Sequence, residues 1–186
     1  MLLDAAGYLK LTDFGFAKVC SYKTYTLCGT PEYIAPEILL GKGHGKGVDW
    51  WTLGILLFEM ICGQPPFIDD DPMGIYKLIM EGYVSFPSHV DRSARSLIKK
   101  LLTADLTRRY GCLAAGSDDV LYHRFFRHVD FDSLKSRTYH ELDPECRIMP
   151  KVSGPQDTSM FDDYPEDESP PRDPVYDDGV DPFIDF

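Results

Sequence analysis

Features that mark membrane and secreted proteins are missing from this 186-residue sequence. It has no uncharged apolar run of about 18 residues, so we expect no transmembrane helix and no membrane partner. Its start, Met1-Leu2-Leu3-Asp4, lacks the basic region and long apolar core of a signal peptide, and we expect none. The chain is nevertheless 44% hydrophobic, which predicts one domain with a sizeable core.

The cysteines form no recognisable framework. There are five, an odd number, and no pair has the CxxC spacing: Cys20, Cys28, Cys62, Cys112 and Cys146. This pattern predicts neither a disulfide scaffold nor a structural zinc site. A reducing compartment is therefore the expected location, either the cytoplasm or the nucleus.

Positive charge is scarce near the C-terminus. Residues 157–186 contain 11 Asp or Glu and one Arg, a net charge of −10 out of the chain's −11. The remainder is nearly neutral, so we expect no basic face for nucleic acid. An acidic tail of this kind is typical of a solvated, disordered end.

Turn and capping residues divide the body into elements. Two short strand-like runs, Met1–Leu3 and Tyr8–Leu11, flank a turn sequence and predict a β-hairpin. Residues 13–48 show no helical period and predict a long irregular segment, which in a compact domain is functional or disordered. Four helices are predicted beyond it: Val48–Cys62 with Asp49 as N-cap and Gly63 as its end, Met73–Glu81 between Asp71-Pro72 and Gly82, Asp91–Thr103, and Ser117–Phe126.

Two regions of the chain carry a further expectation. The helix Val48–Cys62 is apolar nearly all round, which predicts that every face of it is buried. From about Val129 onward the regular signals fade, which indicates a polar tail after the helical body.

Two triplets in the irregular segment point to a chemistry. Asp13-Phe14-Gly15 directly follows the second strand, and Ala35-Pro36-Glu37 comes about two dozen residues later. Each triplet alone is weak, but in this order they belong to the protein-kinase signature, with a phosphorylation site between them. The sequence resembles the AGC group of protein serine/threonine kinases and, within it, the cAMP-dependent branch.

Further stretches carry the same resemblance: Asp13–Lys18, Thr26–Tyr33, Val48–Trp51, Phe161–Tyr164 and the closing Phe183–Phe186. The resemblance implies an α+β protein-kinase-like fold. This chain would be mainly the α-helical large lobe with a small N-terminal hairpin and an extended tail. Residues 1–128 would form a partial kinase domain from the magnesium-binding loop onward. Residues 129–186 would be the AGC tail, acidic and mobile.

The resemblance implies ATP and Mg²⁺ as cofactors. Asp13 would hold the magnesium that bridges the nucleotide phosphates, because a carboxylate is a hard oxygen ligand. Thr12, Phe161 and Tyr164 would lie at the nucleotide. The alternative is that Asp13 is an ordinary turn residue at the end of a strand. That would be the default interpretation if Phe14 and Gly15 did not follow it.

The resemblance also marks a regulatory position. Thr26 would be phosphorylated by an upstream activating kinase, and its phosphate would pair with Lys18, since phosphate orders a loop by pairing with bases. The alternative is an ordinary exposed loop threonine.

Substrate contacts are implied next. Cys28, Gly29 and Pro31 would face the residue after the substrate hydroxyl, and Thr30 would support the catalytic loop. Glu32 and Glu59 would receive arginines upstream of the phosphorylated residue, since a carboxylate pairs with a guanidinium through two hydrogen bonds. Glu59 lies late in an apolar helix and could instead be a structural partner.

Other positions would be structural. Glu37 and Arg109 resemble a buried ion pair that ties the irregular segment to the helices. Asp49 would anchor the catalytic-loop backbone. Phe183 and Phe186 resemble a motif that docks on the small lobe.

The sequence departs from the family pattern in its catalytic parts. It contains no His-Arg-Asp or Tyr-Arg-Asp run, no Gly-rich phosphate loop and no Val-Ala-Ile-Lys strand. We therefore expect a shortened form of a kinase that phosphorylates Ser or Thr in proteins with upstream basic residues, inactive by itself. One alternative is a non-catalytic module that binds cyclic-nucleotide-dependent regulatory subunits or pseudosubstrates. Another is a misfolded or unexpressed fragment.

Overall fold

The computed structural model describes residues 1–139 and 148–165. Its strands are β1 (Leu2–Leu3) and β2 (Leu9–Lys10), and its helices are α1 (Pro36–Leu39), α2 (Gly47–Cys62), α3 (Pro72–Glu81), α4 (Arg92–Leu101), α5 (Asp118–Leu121) and α6 (Phe131–Ser136), with 3₁₀ turns at Pro31–Tyr33 and Arg124–Phe126. This is a small hairpin followed by a helical body. None of the described helices is both long enough and apolar enough to cross a membrane.

The predicted hairpin is confirmed. Strands β1 and β2 pair antiparallel, with Leu2 opposite Lys10 and Leu3 opposite Leu9. The Asp4 carboxylate shapes the turn, because its Oδ1 accepts hydrogen bonds from the backbone N–H groups of Ala6 at 3.0 Å and Tyr8 at 2.9 Å. Gly7 completes the turn at a φ of 78°.

Local signals also predicted most helix ends correctly. Gly63 and Gly82 terminate α2 and α3 in left-handed conformation, at φ values of 81° and 68°. Pro72 opens α3 directly after Asp71. Asp91 caps α4, and its side chain accepts a hydrogen bond from the Ser93 backbone N–H at 2.7 Å.

Helices α2 and α4 form the centre of the core. Their contact is close because Gly54 lies on α2 where a Cβ would approach Leu101 Cβ to 2.9 Å and Leu102 Cδ2 to 2.8 Å. Trp51 stacks on Phe67 with ring centroids 6.0 Å apart. These packed side chains fix α2, and α2 in turn supports the 3₁₀ turn Pro31–Tyr33.

Two predictions about α2 are wrong. Its N-cap is Lys46 rather than Asp49, because backbone bonds from Val48 to Gly45 and from Asp49 to Lys46 already form a turn one step earlier. Asp49 therefore lies in the first turn, where a carboxylate complements the helix dipole. The helix is not buried on every face either, since Met60 is 63% exposed.

Downstream, one helix was predicted too long and another was missed. Ser117–Phe126 divides into α5 and a 3₁₀ turn, because His123 is extended at ψ 141° and its buried ring bonds Ser96 Oγ and the Phe125 N–H. Helix α6 forms beyond Val129. Its signal was Asp130, whose carboxylate accepts hydrogen bonds from the N–H groups of Asp132 and Ser133.

We predict that Gly54→Ala destabilises the fold. The added methyl group would strike the rigid Leu101 Cβ, and overpacking of this kind costs about 1–3 kcal/mol, against a helix-propensity gain of up to about 1 kcal/mol. The free energy of unfolding, measured by urea denaturation, should fall. Gly74→Ala is the matched control in α3, because the atoms nearest to its new Cβ belong to the exposed Asp69 carboxylate, which can rotate away at the cost of one exposed hydrogen bond from the Asp71 N–H. A Gly54→Ala protein as stable as the wild type would contradict the close contact of α2 and α4.

Candidate functional site

Asp13 lies three residues after β2 in a backbone conformation that is unusual for its type. Its φ is 61°, and Oδ1 accepts a hydrogen bond from the Gly15 N–H at 3.1 Å. A left-handed residue other than glycine costs roughly 1–2 kcal/mol, which Asp offsets in part through such a local bond. A Cβ at Gly15 would come within 3.2 Å of the same Oδ1, so the compact turn favours glycine there. Strain of this kind is concentrated at functional sites.

The Asp13 carboxylate fits one ligand of a magnesium ion. It is exposed, as is Thr12 before it. Among the described residues no group of three or more His, Cys, Asp or Glu side chains is placed to hold a metal. Mg²⁺ in nucleotide sites usually takes one or two carboxylates, with water and phosphate oxygens completing its shell.

Downstream of Asp13 the irregular segment borders a cavity of about 670 Å³. The chain is positioned there by a β-bridge, in which Thr24 and His44 exchange backbone hydrogen bonds of 2.8 and 2.9 Å. Thr26 is exposed two residues beyond the bridge. Six of the residues singled out in the sequence line this cavity: Lys18, Thr26, Cys28, Gly29, Thr30 and Asp49. The basic Lys18 thus borders the same space as Thr26.

Two carboxylates flank Tyr33. Its hydroxyl donates a short hydrogen bond to Glu59 Oε2 on α2, across 26 positions of sequence. Burial raises the pKa of Tyr33 to about 12, and the bond to Glu59 and the charge of Glu32 add to the shift. The phenol therefore stays protonated and remains a donor at neutral pH.

Glu32 is the second carboxylate of this group. Its Oε2 is buried and has no hydrogen-bond partner among the described residues. Within the same part of the chain, neither Glu32 nor Glu59 forms a salt bridge. A buried acceptor without a partner is costly, so this acidic cluster is suited to receive a cationic side chain from outside.

Glu37 and Arg109 form a two-pronged ion pair. Nη1 of Arg109 donates to Glu37 Oε1 at 2.6 Å and Nη2 donates to Oε2 at 2.9 Å. The arginine is fully buried, lies 5.2 Å over the Trp51 ring, and also donates to the carbonyls of Thr103 at 2.8 Å and Gly47 at 3.0 Å. The end of the irregular segment is thereby fastened to α2 and to the chain after α4.

The remaining residues of interest are Pro31 and four aromatic residues near the C-terminus. Pro31 opens the 3₁₀ turn, so it stands next to Glu32 in the acidic cluster. Phe161 and Tyr164 are 62% and 81% exposed, and no aromatic contact of theirs occurs in the described part of the chain. Phe183 and Phe186 lie outside the described residues.

Sequence reasoning missed the role of Tyr33. The residue was noticed only as the end of the Thr26–Tyr33 motif, and its partner Glu59 lies on another element. No local pattern encodes that contact. The adjacent Glu32-Tyr33 pair was the one available signal.

Comparison with known proteins agrees with this fold. A helical body that begins with an Asp-bearing hairpin and fastens an irregular segment by a buried ion pair has the organisation expected of a kinase large lobe. The family described as "Protein kinase domain" matches residues 1–126, and the chain belongs to this family.

The chain is also similar to several individual proteins of this family. The chain is similar to the human cAMP-dependent protein kinase catalytic subunit PRKX, at 54% identity over 168 residues that cover 90% of this chain and 46% of the human protein. The mouse protein of the same name is 50% identical over 186 residues, covering 100% of this chain and 51% of its own length. A cAMP-dependent protein kinase catalytic subunit of Dictyostelium discoideum is 49% identical over 183 residues, covering 98% and 27%. The chain spans about half the length of these relatives, or less.

We predict that Glu37→Gln strongly destabilises the fold. The substitution leaves the buried Arg109 charge without a counter-ion, and breaking one partner of such a pair costs about 3–5 kcal/mol. Thermal or urea unfolding measures the loss. Glu81→Gln is the control, since it breaks the exposed pair with Lys77 and should change stability by less than about 1 kcal/mol. Equal effects of the two substitutions would show that Arg109 does not depend on Glu37.

Proposed function

We propose that this chain is part of an ATP-dependent protein kinase of the cAMP-dependent type, which phosphorylates Ser or Thr in proteins with upstream basic residues. The observation that carries this proposal is the acidic cluster around Tyr33, in which Glu32 and Glu59 have no cationic partner among the described residues. Family membership and the names of the relatives support the reaction class. Residues 1–128 would be the partial kinase domain and residues 129–186 the tail.

Nucleotide binding is assigned to the hairpin end and the tail. Asp13 would hold a magnesium ion, which when bound neutralises phosphate charge. Thr12, Phe161 and Tyr164 would contact the ATP. The exposure of Asp13 at the end of β2 supports this assignment, because a carboxylate there is accessible to a nucleotide-bound ion.

Protein substrates would lie along the acidic cluster. Glu32 and Glu59 would pair with arginines that precede the phosphorylated residue, through charge-assisted hydrogen bonds. Cys28, Gly29 and Pro31 would face the residue after the substrate hydroxyl, with Thr30 supporting the catalytic loop. The order of the segment, which leads from the cavity into the 3₁₀ turn, supports this proposal.

Regulation would act through Thr26. An upstream activating kinase would phosphorylate this exposed threonine, and Lys18 would pair with the phosphate across the cavity that both residues line. Glu37 and Arg109 would hold the end of the segment, while Asp49 would anchor the catalytic-loop backbone. The cytoplasm, and also the nucleus, would be the site of action.

A second function is favoured by the same acidic cluster. A substrate-docking surface works without a catalytic base, so the chain would bind a pseudosubstrate segment of a cyclic-nucleotide-binding regulatory subunit without turnover. The 186 residues contain no His-Arg-Asp or Tyr-Arg-Asp run, which makes binding the activity that this chain can show by itself.

We predict that the chain binds a peptide with two arginines upstream of a serine, and that Glu59→Gln weakens binding about tenfold. The substitution keeps the shape and the bond from Tyr33 but removes the charge, and one charge-assisted bond is worth roughly 1.5–3 kcal/mol. Fluorescence anisotropy of a labelled peptide measures the affinity.

The control for this experiment is Glu81→Gln, which removes an equal charge from α3 outside the acidic cluster. It should leave the affinity unchanged. If both variants bind like the wild type, the acidic cluster is not the docking site. A peptide with alanines in place of the arginines should not bind any of the three proteins.

We predict further that the purified chain does not phosphorylate this peptide in the presence of ATP and Mg²⁺. Phosphoryl transfer depends on positioned groups, and this sequence lacks the catalytic-loop base. Radiolabelled phosphate transfer is the measurement. Incorporation that disappears in Asp13→Ala would refute the prediction, whereas incorporation that persists in Asp13→Ala would come from a contaminating kinase.

A further inference from the structure

The turn of the hairpin is bound to a residue 133 positions away. Asp4 uses its Oδ1 within the turn, and its Oδ2 accepts a short hydrogen bond from Nη2 of Arg137. The guanidinium of Arg137 also lies over the ring of Tyr8, 4.7 Å from its centroid. Arg137 therefore contacts both ends of the turn, and we call these three residues the clasp.

Arg137 is held in place from its own side. It caps the C-terminus of α6 at a φ of 63°, and its N–H donates to the Leu134 carbonyl at 3.2 Å. At the other end of this helix, Phe131 packs edge-on against Phe126 with centroids 5.5 Å apart. Helix α6 is thus anchored to the body at its start and presents Arg137 at its end.

The hairpin needs such support. Its strands have two residues each, and a lone two-stranded hairpin is marginal in water. Leu2, Leu3 and Leu9 are all exposed, so little apolar burial holds the strands against the body. A specific polar contact to a fixed helix can therefore decide where the hairpin sits.

What the hairpin positions is Asp13, which follows β2 by three residues. Of the described residues other than glycine, Asp13 and Arg137 are the two with positive φ. We infer that Arg137 is a positioning residue, which couples helix α6 to the hairpin and so sets the placement of the Asp13 carboxylate. The coupling to metal binding rests on the function proposed for Asp13. The contacts within the clasp do not depend on that function.

Electrostatics around the clasp agree with this geometry. The backbone N–H of Tyr8 has the largest effect on the pKa of Asp4 and lowers it, burial opposes this, and the guanidinium of Arg137 lowers the pKa further. Among the described residues, Lys10 also forms an ion pair with this carboxylate, with its Nζ 3.9 Å from Oδ2. Loss of Arg137 would thus leave the Asp4 carboxylate with the longer and weaker ion pair to Lys10.

The clasp is tested with Arg137→Ala and Arg137→Lys, and with Lys135→Ala as a control that removes the same charge from an exposed position on α6. Hydrogen exchange should become about fivefold faster in residues 1–12 of Arg137→Ala, while exchange in α4 stays as in the wild type. The NMR-measured pKa of Asp4 should rise in Arg137→Ala and remain lowered in Arg137→Lys. Lys135→Ala should change neither quantity.

Two results would overturn the clasp. One is unchanged exchange in residues 1–12 of Arg137→Ala, and the other is an equal increase in α4, which would indicate general destabilisation. If Arg137 only stabilised the fold, the pKa of Asp4 would not rise in Arg137→Ala and be restored in part by Arg137→Lys.

The coupling to Asp13 is measured with Mn²⁺, added together with ATP, as a paramagnetic probe of the same proteins. Broadening of the Phe14 and Gly15 amide signals should occur in the wild type, be absent in Asp13→Ala, and require about threefold more Mn²⁺ in Arg137→Ala. Equal Mn²⁺ dependence in wild type and Arg137→Ala overturns the positioning role. No broadening in the wild type overturns the metal role of Asp13 and with it the positioning, while the exchange data still judge the clasp alone.

Discussion

Arg109 holds three parts of the chain together around one buried charge. Its guanidinium meets Glu37 from α1, the Gly47 carbonyl at the start of α2, and the Thr103 carbonyl after α4, and it lies against the Trp51 ring. Because a fully buried cation is tolerated only when its donors are satisfied, these partners must keep their relative positions. The 3₁₀ turn and α1, which pack on α2 and α3, are thereby placed as one unit.

The irregular segment between Asp13 and Glu37 depends on that anchor and on two weaker ones. The hairpin holds its beginning, the Thr24–His44 bridge holds its middle, and the ion pair holds its end. Between these points apolar side chains remain exposed, including Phe16 at 77% and Val19 at 97%. Exposed apolar groups in such number are typical of a contact surface.

Sequence reasoning succeeded where structure is encoded locally. Glycines that must adopt positive φ and an Asp that caps a helix predicted the ends of α2, α3 and α4, because those signals act within one turn of chain. It failed at His123, where a buried ring and its Ser96 partner interrupt a helix that the local pattern would continue. Tertiary contact overrode local preference there.

In the candidate site, too, some residues were identified from local sequence and others were not. The motif Asp13-Phe14-Gly15 and the pair Glu37 and Arg109 were identified from sequence through family resemblance, since short motifs preserve the residues that a chemistry requires. The bonds of Tyr33 to Glu59 and of Arg137 to Asp4 were not, because they span 26 and 133 positions and leave no periodic trace. Contacts of this kind become visible only when the fold brings distant elements together.

Tyr33 shows how such a contact shapes recognition. Because its pKa is raised to about 12, its hydroxyl donates to Glu59 at every physiological pH and holds that carboxylate in one orientation. A restrained carboxylate loses less side-chain freedom when a guanidinium binds, and the buried oxygen of Glu32 gains the partner it lacks. Both effects favour a ligand with planar, forked donors over a single ammonium charge. Under the proposed function, selection for arginine would therefore reside in a core-supported part of this chain, separate from the groups that transfer phosphate.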